Sequence, residues 1–287
     1  MASTHPSVFP SRPLPEIPAF QAEVAAACQV QNRISLDSQP FIPGLEYEAR
    51  WRPARGPSGD YLDYYRTAEG ELHLGVGDIA GKGLPAALLS GSLHSIVRTL
   101  DSAGWQRLPK LVERVDDLFC QVCPDGCFAT LFMASFEPET RRLRYINAGH
   151  EPPFVLRRTR TGRRVIQLDP SGPVIGMLRH SAWREGALTL QPGDLLVAYT
   201  EGLCGTTDPR GEEWGWQRLV RYITDAADRP VRDIVEGVVE TVEGFSAGRR
   251  FDDITLWIGR ASQESSLDTK AAAATIEDSE LALAAAA

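Results

Sequence analysis

The segment GVGDIAGKG at residues 75–83 decides how the rest of this chain is interpreted. Before it, residues 72–76 (LHLGV) alternate in a way that predicts a strand. After it, residues 84–100 carry apolar side chains at helical spacing, which predicts a helix. The segment therefore places the carboxylate of Asp78 at the end of a strand, in a glycine-rich turn that leads into a helix.

A glycine-rich turn between a strand and a helix first suggests a phosphate-binding P-loop. That motif needs four residues between its leading Gly and its Gly-Lys pair, which puts Val76 where a Gly is required. Gly83 also stands where a Ser or Thr would hold magnesium. An Asp at a strand end suits a metal ion better than a nucleotide.

A second carboxylate, that of Asp60, is predicted to lie opposite Asp78. Residues 59–65 form a candidate strand, and residues 67–71 form a turn. A hairpin centred on Glu69 pairs Asp60 with Asp78, with Cβ atoms about 4.5–5.5 Å apart. Two carboxylates this close repel each other unless a cation lies between them or one keeps its proton. We therefore predict a metal site here.

Composition and charge exclude several classes of protein. The chain has 287 residues, of which 43% are hydrophobic, so it can bury a sizeable core. Its net charge of −8 argues against a surface for nucleic acids or anionic membranes. No apolar run approaches the roughly 20 residues that span a bilayer, and residues 1–9 do not resemble a signal peptide. Five cysteines, an odd number, fit a reduced, cytoplasmic protein.

The chain divides into four segments. Residues 1–22 are proline-rich and are predicted to form a flexible N-terminal arm. Residues 23–40 contain a helix that packs at the domain edge or serves in regulation. Residues 41–260 form the folded domain, and residues 261–287 form a low-complexity tail with no core-making pattern.

Four carboxylates stand at or near the ends of candidate strands: Asp60, Asp78, Glu201 and Asp252. All-oxygen ligands suit Mg²⁺ or Mn²⁺. Each carboxylate alone is an ordinary turn residue, and it is the opposition of Asp60 and Asp78 that distinguishes the set. Strands paired in hairpins, with helices arriving in pairs, predict antiparallel sheets with helices outside.

Three cysteines form the pattern Cys120-x2-Cys123-x3-Cys127. No fourth ligand follows at a standard spacing, and the triplet crosses a helix end, a Pro-Asp-Gly turn and a strand start. The pattern therefore favours ordinary half-buried thiols over a zinc or iron–sulfur site.

Six motifs in series closely resemble the bacterial metal-dependent Ser/Thr phosphatases of the SpoIIE/RsbU branch of the PPM superfamily. They are GDYLD (59–63), GDIAGKG (77–83), FATLF (128–132), INAGH (146–150), GDLLVAYTEG (193–202) and DDIT (252–255). The resemblance implies an α+β fold, a four-layer α-β-β-α sandwich of two antiparallel sheets flanked by helices. It makes residues 41–260 a PPM-type phosphatase domain.

The resemblance also implies a site for two divalent cations, Mn²⁺ or Mg²⁺. Asp78 would bridge both metals, and the candidate ligands together are Asp60, Asp78, Ile79 (through its carbonyl), Glu201 and Asp252. The predicted catalytic residues are Asp60, Asp78 and Asp252. Candidates for supporting the ligands or contacting substrate are Arg55, Asp63 and Asp253. Arg55 could bind a phosphate through its planar guanidinium, although a solvated loop arginine is an equal alternative.

The implied activity is hydrolysis of phosphoserine or phosphothreonine on a protein, with attack by a metal-bridging hydroxide. The implied substrate is a phosphorylated anti-sigma-factor antagonist (STAS-domain) in a partner-switching pathway. Residues 23–36 would mediate homodimerisation or contact with an activating partner. Two alternatives stay open: a pseudophosphatase that binds a partner without turnover, and a phosphoesterase acting on small molecules.

Two positions depart from the wider superfamily. Glu201 stands where relatives usually have Asp, and its extra methylene moves the carboxylate outward. Ala80 stands where eukaryotic-type members place a His as the leaving-group acid, and the bacterial branch generally lacks that His. His150, in the INAGH motif, is expected to be structural rather than a general acid.

Overall fold

A computed structural model describes residues 17–36, 39–102, 107–178 and 180–262 of the chain. Most of the predicted arm (1–22) and nearly all of the predicted tail (261–287) lie outside these ranges. The helices are α1 (Ile17–Leu36), α2 (Leu84–Ser102), α3 (Leu108–Val122), α4 (Glu201–Cys204), α5 (Trp216–Ala226) and α6 (Val231–Phe245). None of the helices in the described ranges is long and apolar enough to cross a membrane.

Ten strands are present in the described ranges. They are β1 (Leu45–Arg52), β2 (Asp60–Arg66), β3 (Leu72–Ile79), β4 (Ala129–Glu137), β5 (Arg142–Ala148), β6 (Phe154–Thr159), β7 (Gly162–Gln167), β8 (Gly186–Thr189), β9 (Leu195–Tyr199) and β10 (Ile254–Ala261). Sheet I has the order β1-β10-β9-β6-β7, and sheet II has the order β2-β3-β4-β5-β8. All paired strands are antiparallel.

Three apolar layers hold the domain together. One lies between the two sheets and includes Trp257 and Phe132. A second lies between sheet I and helices α5 and α6, and a third lies between sheet II and helices α2 and α3. Each sheet thus buries both of its faces, which is why the strands carry apolar side chains in both directions. The predicted α-β-β-α sandwich is confirmed.

The hairpin that carries the first two carboxylates has the predicted register. Asp60 pairs with Asp78, and the strands run back to Arg66 opposite Leu72. Directly opposed residues of an antiparallel pair point to the same side of the sheet. Both carboxylates therefore lie on the face of sheet II that looks toward sheet I.

Two element boundaries differ from the sequence-based prediction. Helix α1 begins at Ile17 rather than near residue 23, because Pro18 is compatible with a first helical turn, where no backbone N–H partner is needed. Strand β10 begins at Ile254, so Asp252 and Asp253 lie in the turn before the strand rather than within it.

A partly buried ionic cluster lies on sheet II at the end of β3 opposite to Asp78. His73 Nδ1 lies 3.0 Å from Asp101 Oδ2 at the end of α2, and Glu71 pairs with Arg144 at 2.9 Å. Burial alone would lower the pKa of His73, but the nearby carboxylates of Asp101 and Glu71 outweigh it and raise that pKa to about 9. The folded state therefore binds the His73 proton more tightly than the unfolded chain does.

This cluster predicts a defined pH dependence of stability. The contribution of His73 is fully present below its unfolded pKa of about 6.5 and is lost as pH rises through about 9. We expect the free energy of unfolding to fall by on the order of 1–3 kcal/mol across this window. Urea unfolding at pH 6, 7.5 and 9 measures it. His73→Gln is the control and should remove this slope between pH 7.5 and 9, above the range in which Asp78 titrates; an equal slope in the variant over that range would contradict the assignment.

Candidate metal centre

Asp60 begins β2 and is buried between the two sheets. It is 3% exposed, and its Oδ2 accepts hydrogen bonds from the hydroxyls of Thr200 (2.8 Å) and Thr255 (2.5 Å). Burial and repulsion from Asp78 raise the pKa of Asp60 well above its usual range, although the two hydroxyls oppose this. Sheet I thus reaches across the sandwich to orient a carboxylate of sheet II.

Asp78 lies where several carboxylates converge. Burial raises its pKa to about 7, and the charges of Asp252, Asp253 and Glu201 add to the effect, while Lys82 opposes it. The turn at 77–83, the start of α4 and the turn before β10 therefore meet at one edge of the sandwich. The group carries more negative charge than its neighbours neutralise.

The two aspartates of the DDIT motif have different partners. Asp252 is half-exposed, and its Oδ2 lies 2.6 Å from Lys82 Nζ. Asp253 accepts hydrogen bonds from the backbone N–H groups of Ala54 (2.7 Å) and Gly59 (2.9 Å) and from the Ser58 hydroxyl (2.7 Å). Asp253 therefore fastens the loop that leads into Asp60, whereas Asp252 faces the open edge.

Glu201 and Ile79 complete the predicted ligand set. Glu201 is the first residue of the short helix α4 and is exposed, yet it is close enough to raise the pKa values of Asp78 and Glu151. Ile79 directly follows Asp78, and its backbone N–H donates to the Gly59 carbonyl at 3.3 Å. That bond ties the two loops of the site together.

Two of the candidate supporting residues lie apart from this group. Asp63 is on the opposite face of β2, where it forms two hydrogen bonds with Arg98, at 2.6 and 2.7 Å. Arg55 is exposed and lines a groove of about 400 Å³ that also contains Lys82 and Asp252. The structure thus separates Asp63 from the site and places Arg55 at its rim.

The donor set fits hard divalent cations. Four carboxylates and a backbone carbonyl are oxygen ligands of the kind that Mg²⁺ and Mn²⁺ prefer, and the raised pKa values of Asp60 and Asp78 mark uncompensated negative charge. Within the described residues, no three Asp, Glu, His or Cys side chains form a complete ligand cluster. Asp252 is paired with Lys82, and Asp60 accepts hydrogen bonds from two threonine hydroxyls.

His150 is buried and contacts Thr130, the residue that binds the backbone of Asp78. The Asp78 N–H donates to Thr130 Oγ1 at 3.2 Å, and Thr130 Oγ1 lies 2.9 Å from His150 Nδ1. Burial lowers the pKa of His150 to about 4, although the Tyr199 backbone on sheet I opposes it. The imidazole is therefore neutral near pH 7 and buried, as a structural histidine would be.

Sequence reasoning missed the hydroxyls that orient the site. Thr200 and Thr255 stand within the YTEG and DDIT segments, next to the carboxylates that drew attention. Gln31 of α1 exchanges two hydrogen bonds of 2.7 Å with the backbone of Ser58. No local pattern signals these residues, because their partners belong to distant strands.

A sequence profile for the family described as Stage II sporulation protein E (SpoIIE) matches residues 68–261, about two thirds of the chain. This chain belongs to the SpoIIE family. Protein IcfG of Synechocystis sp. is 28% identical over 262 residues, a match that covers 82% of this chain and 40% of IcfG. Phosphoserine phosphatase RsbU of Bacillus subtilis is 24% identical over 244 residues, covering 84% of this chain and 70% of RsbU. This SpoIIE-family chain thus spans less than half of IcfG.

Solved structures show the same fold for this SpoIIE-family chain. The SiaA-PP2C domain of Pseudomonas aeruginosa superposes with a TM-score of 0.74 at 20% identity, covering 85% of this chain and 97% of that domain. The catalytic domain of the phosphatase PstP, solved in complex with two manganese ions, superposes with a TM-score of 0.57 at 14% identity, covering 76% of this chain and 99% of that domain. The chain therefore has the same fold as these PP2C domains.

Proposed function

We propose that this protein is a metal-dependent phosphatase that removes phosphate from serine or threonine side chains of a protein. The observation that supports this most strongly is the convergence of Asp60, Asp78 and Asp252 at one edge of a PP2C-type sandwich. The relative RsbU is named a phosphoserine phosphatase, and the similar PstP domain was solved with manganese.

The residues proposed to hold two divalent cations are Asp60, Asp78, Glu201 and Asp252, with the carbonyl of Ile79. Cations bound there would supply positive charge to a phosphoryl group and lower the pKa of a nucleophilic water. The protein's own contribution is preorganisation of the ligands. Thr200 and Thr255 fix the orientation of Asp60, and Thr130 fixes the backbone of Asp78.

The groove beside the site has the charge that a phosphorylated side chain needs. Arg55 and Lys82 line it together with Phe251 and Leu84, so cations and apolar surface lie next to the carboxylates. We propose that Arg55 binds the phosphate as it enters. Lys82 pairs with Asp252 at 2.6 Å, and this contact would have to open when Asp252 binds a cation.

For the substrate, we propose a phosphorylated protein, with a STAS-type anti-sigma-factor antagonist as the specific candidate. A cytoplasmic location belongs to the same proposal. The 23–36 segment of α1 is the proposed surface for a second copy or an activating partner, since Val30 is 59% exposed there. Gln31 of this helix forms hydrogen bonds with Ser58 in the loop before Asp60. A partner bound to α1 would therefore affect the position of that loop.

The first test is hydrolysis of p-nitrophenyl phosphate with Mn²⁺, for wild type and Glu201→Asp. We expect manganese-dependent activity in wild type. In Glu201→Asp we expect kcat/KM to rise by about 3–10-fold, since the shorter side chain moves the carboxylate toward the position usual in relatives.

Glu201→Gln is the matched control for charge and should lower activity. An inactive wild type with an active Glu201→Asp variant would favour the pseudophosphatase alternative. Comparing a phosphoprotein with free phosphoserine then separates a protein phosphatase from a small-molecule phosphoesterase. A higher kcat/KM for free phosphoserine would contradict the proposed substrate class.

A further inference from the structure

Cys127 of the 120–127 triplet contacts the turn that follows Asp78, and Cys123 lies four residues before Cys127. Cys123 caps the C-terminus of α3, and Cys127 lies two residues before β4. A tight turn joins them, closed by the Cys127 N–H donating to the Pro124 carbonyl at 3.0 Å. Both thiols are half-buried and reduced, so they are ordered without being sealed from solvent.

Cys127 holds the turn at 79–83 directly. Its thiol donates to the Ala80 carbonyl at 3.6 Å, and the Ala80 N–H donates to the Phe128 carbonyl at 2.8 Å. Residues 127 and 128 thus bind Ala80 through two adjacent hydrogen bonds, and one of them is donated by the Cys127 thiol. Ala80 follows Ile79 and is two residues after Asp78, so these two hydrogen bonds help to position the proposed ligands Asp78 and Ile79.

Cys123 and Cys127 are placed to react with each other. Both thiols pack against the same apolar layer between sheet II and helices α2 and α3. Burial, together with the neighbouring Cys127 thiol, raises the pKa of Cys123 to about 12. Thiols that flank one tight turn and pack against one apolar layer need only a small movement to reach the disulfide bond length of about 2.05 Å. Cys120 is engaged elsewhere, with its thiol 3.6 Å from Asp116 Oδ1.

We propose that Cys123 and Cys127 form a peroxide-sensitive dithiol site coupled to the turn at 79–83. The Cys127 sulfur attacks hydrogen peroxide, so that an S–O bond forms, the O–O bond breaks and one water leaves. The Cys123 sulfur then attacks the sulfenic sulfur of Cys127, the S–O bond breaks, and the Cys123 proton leaves with the hydroxyl group as a second water. Two electrons pass from the two sulfurs to the peroxide.

The disulfide changes how the turn is held. It consumes the thiol proton that binds the Ala80 carbonyl, so Ala80 keeps only its backbone bond to Phe128. The 79–83 turn then opens more often. An effect on catalysis rests on the proposed function, whereas the bridge and the loosened turn do not.

Thiol counting tests the bridge. The reduced full-length protein is treated with hydrogen peroxide, quenched, and titrated with Ellman's reagent in denaturant before and after dithiothreitol. We expect the count to fall from the five cysteines of the chain by two, and to return on reduction. Cys120→Ser is the matched control and should also lose two. Cys123→Ser and Cys127→Ser should lose no pair; a reducible loss of two in either variant, or none in wild type, overturns the proposal.

Hydrogen exchange in EDTA tests the coupling without reference to activity. Peptides that cover 79–83 are expected to exchange at least about threefold faster in the oxidised protein, because one contact of the turn is lost. Unchanged exchange in a protein that carries the bridge overturns the coupling. If reduced wild type shows no phosphatase activity at all, the proposed function fails while the bridge and exchange results still decide this inference.

Discussion

Asp78→Asn is expected to reduce manganese-dependent hydrolysis by at least about 10³-fold, a loss of roughly 4 kcal/mol in transition-state stabilisation. Besides burial, the charges of Asp252, Asp253 and Glu201 all raise the pKa of Asp78. Asp78 also pairs directly with Asp60 across the hairpin. Asparagine keeps the shape but removes the charge that two cations would share. The measurement is kcat/KM for p-nitrophenyl phosphate over a Mn²⁺ titration.

The same substitution should stabilise the metal-free protein. Burial and neighbouring carboxylates raise the pKa of Asp78 from 3.8 to about 7, so the folded state loses stability as pH rises from 3.8 through about 7. Above that window we expect Asp78→Asn to gain on the order of 1–3 kcal/mol in EDTA, discounted for partial exposure. In EDTA, thermal unfolding should show a higher Tm for the variant than for wild type. On addition of Mn²⁺, the Tm of the variant should rise by less than that of wild type.

Asp63→Asn is the matched control from the same strand. Asp63 is as buried as Asp60 but lies on the other face of β2, paired with Arg98. Its replacement should cost about 1–3 kcal/mol of stability, because a buried charge partner is removed, and should leave activity at saturating Mn²⁺ within about threefold of wild type. Equal losses of activity in the two variants would contradict the assignment of Asp78.

Gly202→Ala is expected to damage both the site and the fold. A Cβ at position 202 would overlap the Asp253 carbonyl oxygen and would lie 3.2 Å from the Asp252 Cβ. The first contact is with backbone, so α4 or the turn before β10 must move. We expect activity to fall by about 10²-fold or more and stability by about 1–3 kcal/mol, since Asp253 also fastens the loop before Asp60.

Gly91→Ala provides the control for Gly202→Ala. Gly91 lies within α2, and a Cβ there meets no atom within 4 Å. Alanine in a helix interior should therefore leave activity unchanged and raise stability by about 0.5–1 kcal/mol. Urea unfolding and p-nitrophenyl phosphate hydrolysis report both quantities. A Gly202→Ala protein with wild-type stability and activity would show that the close approach of α4 to Asp253 is not required.

The sequence alone determined the local elements and the opposition that defines the site. Alternation in 59–65 and 72–76, with a turn centred on Glu69, was enough to pair Asp60 with Asp78, because hairpin register follows from turn position. The same alternation also determines the position of Asp63. It is three residues from Asp60, so its side chain must point to the opposite face of the strand. The prediction of Asp63 as a site residue did not take this alternation into account.

Only the tertiary structure decided what surrounds these carboxylates. Thr255 reaches Asp60 across 195 positions of chain, and Asp253 reaches Ser58 across the same number. Cys127 lies 47 positions from the Ala80 carbonyl that it contacts. These partners depend on the order β1-β10-β9 in sheet I and on how the two sheets face each other. Local periodicity carries no information about either, because it reports which face a side chain occupies and not which distant strand lies against that face.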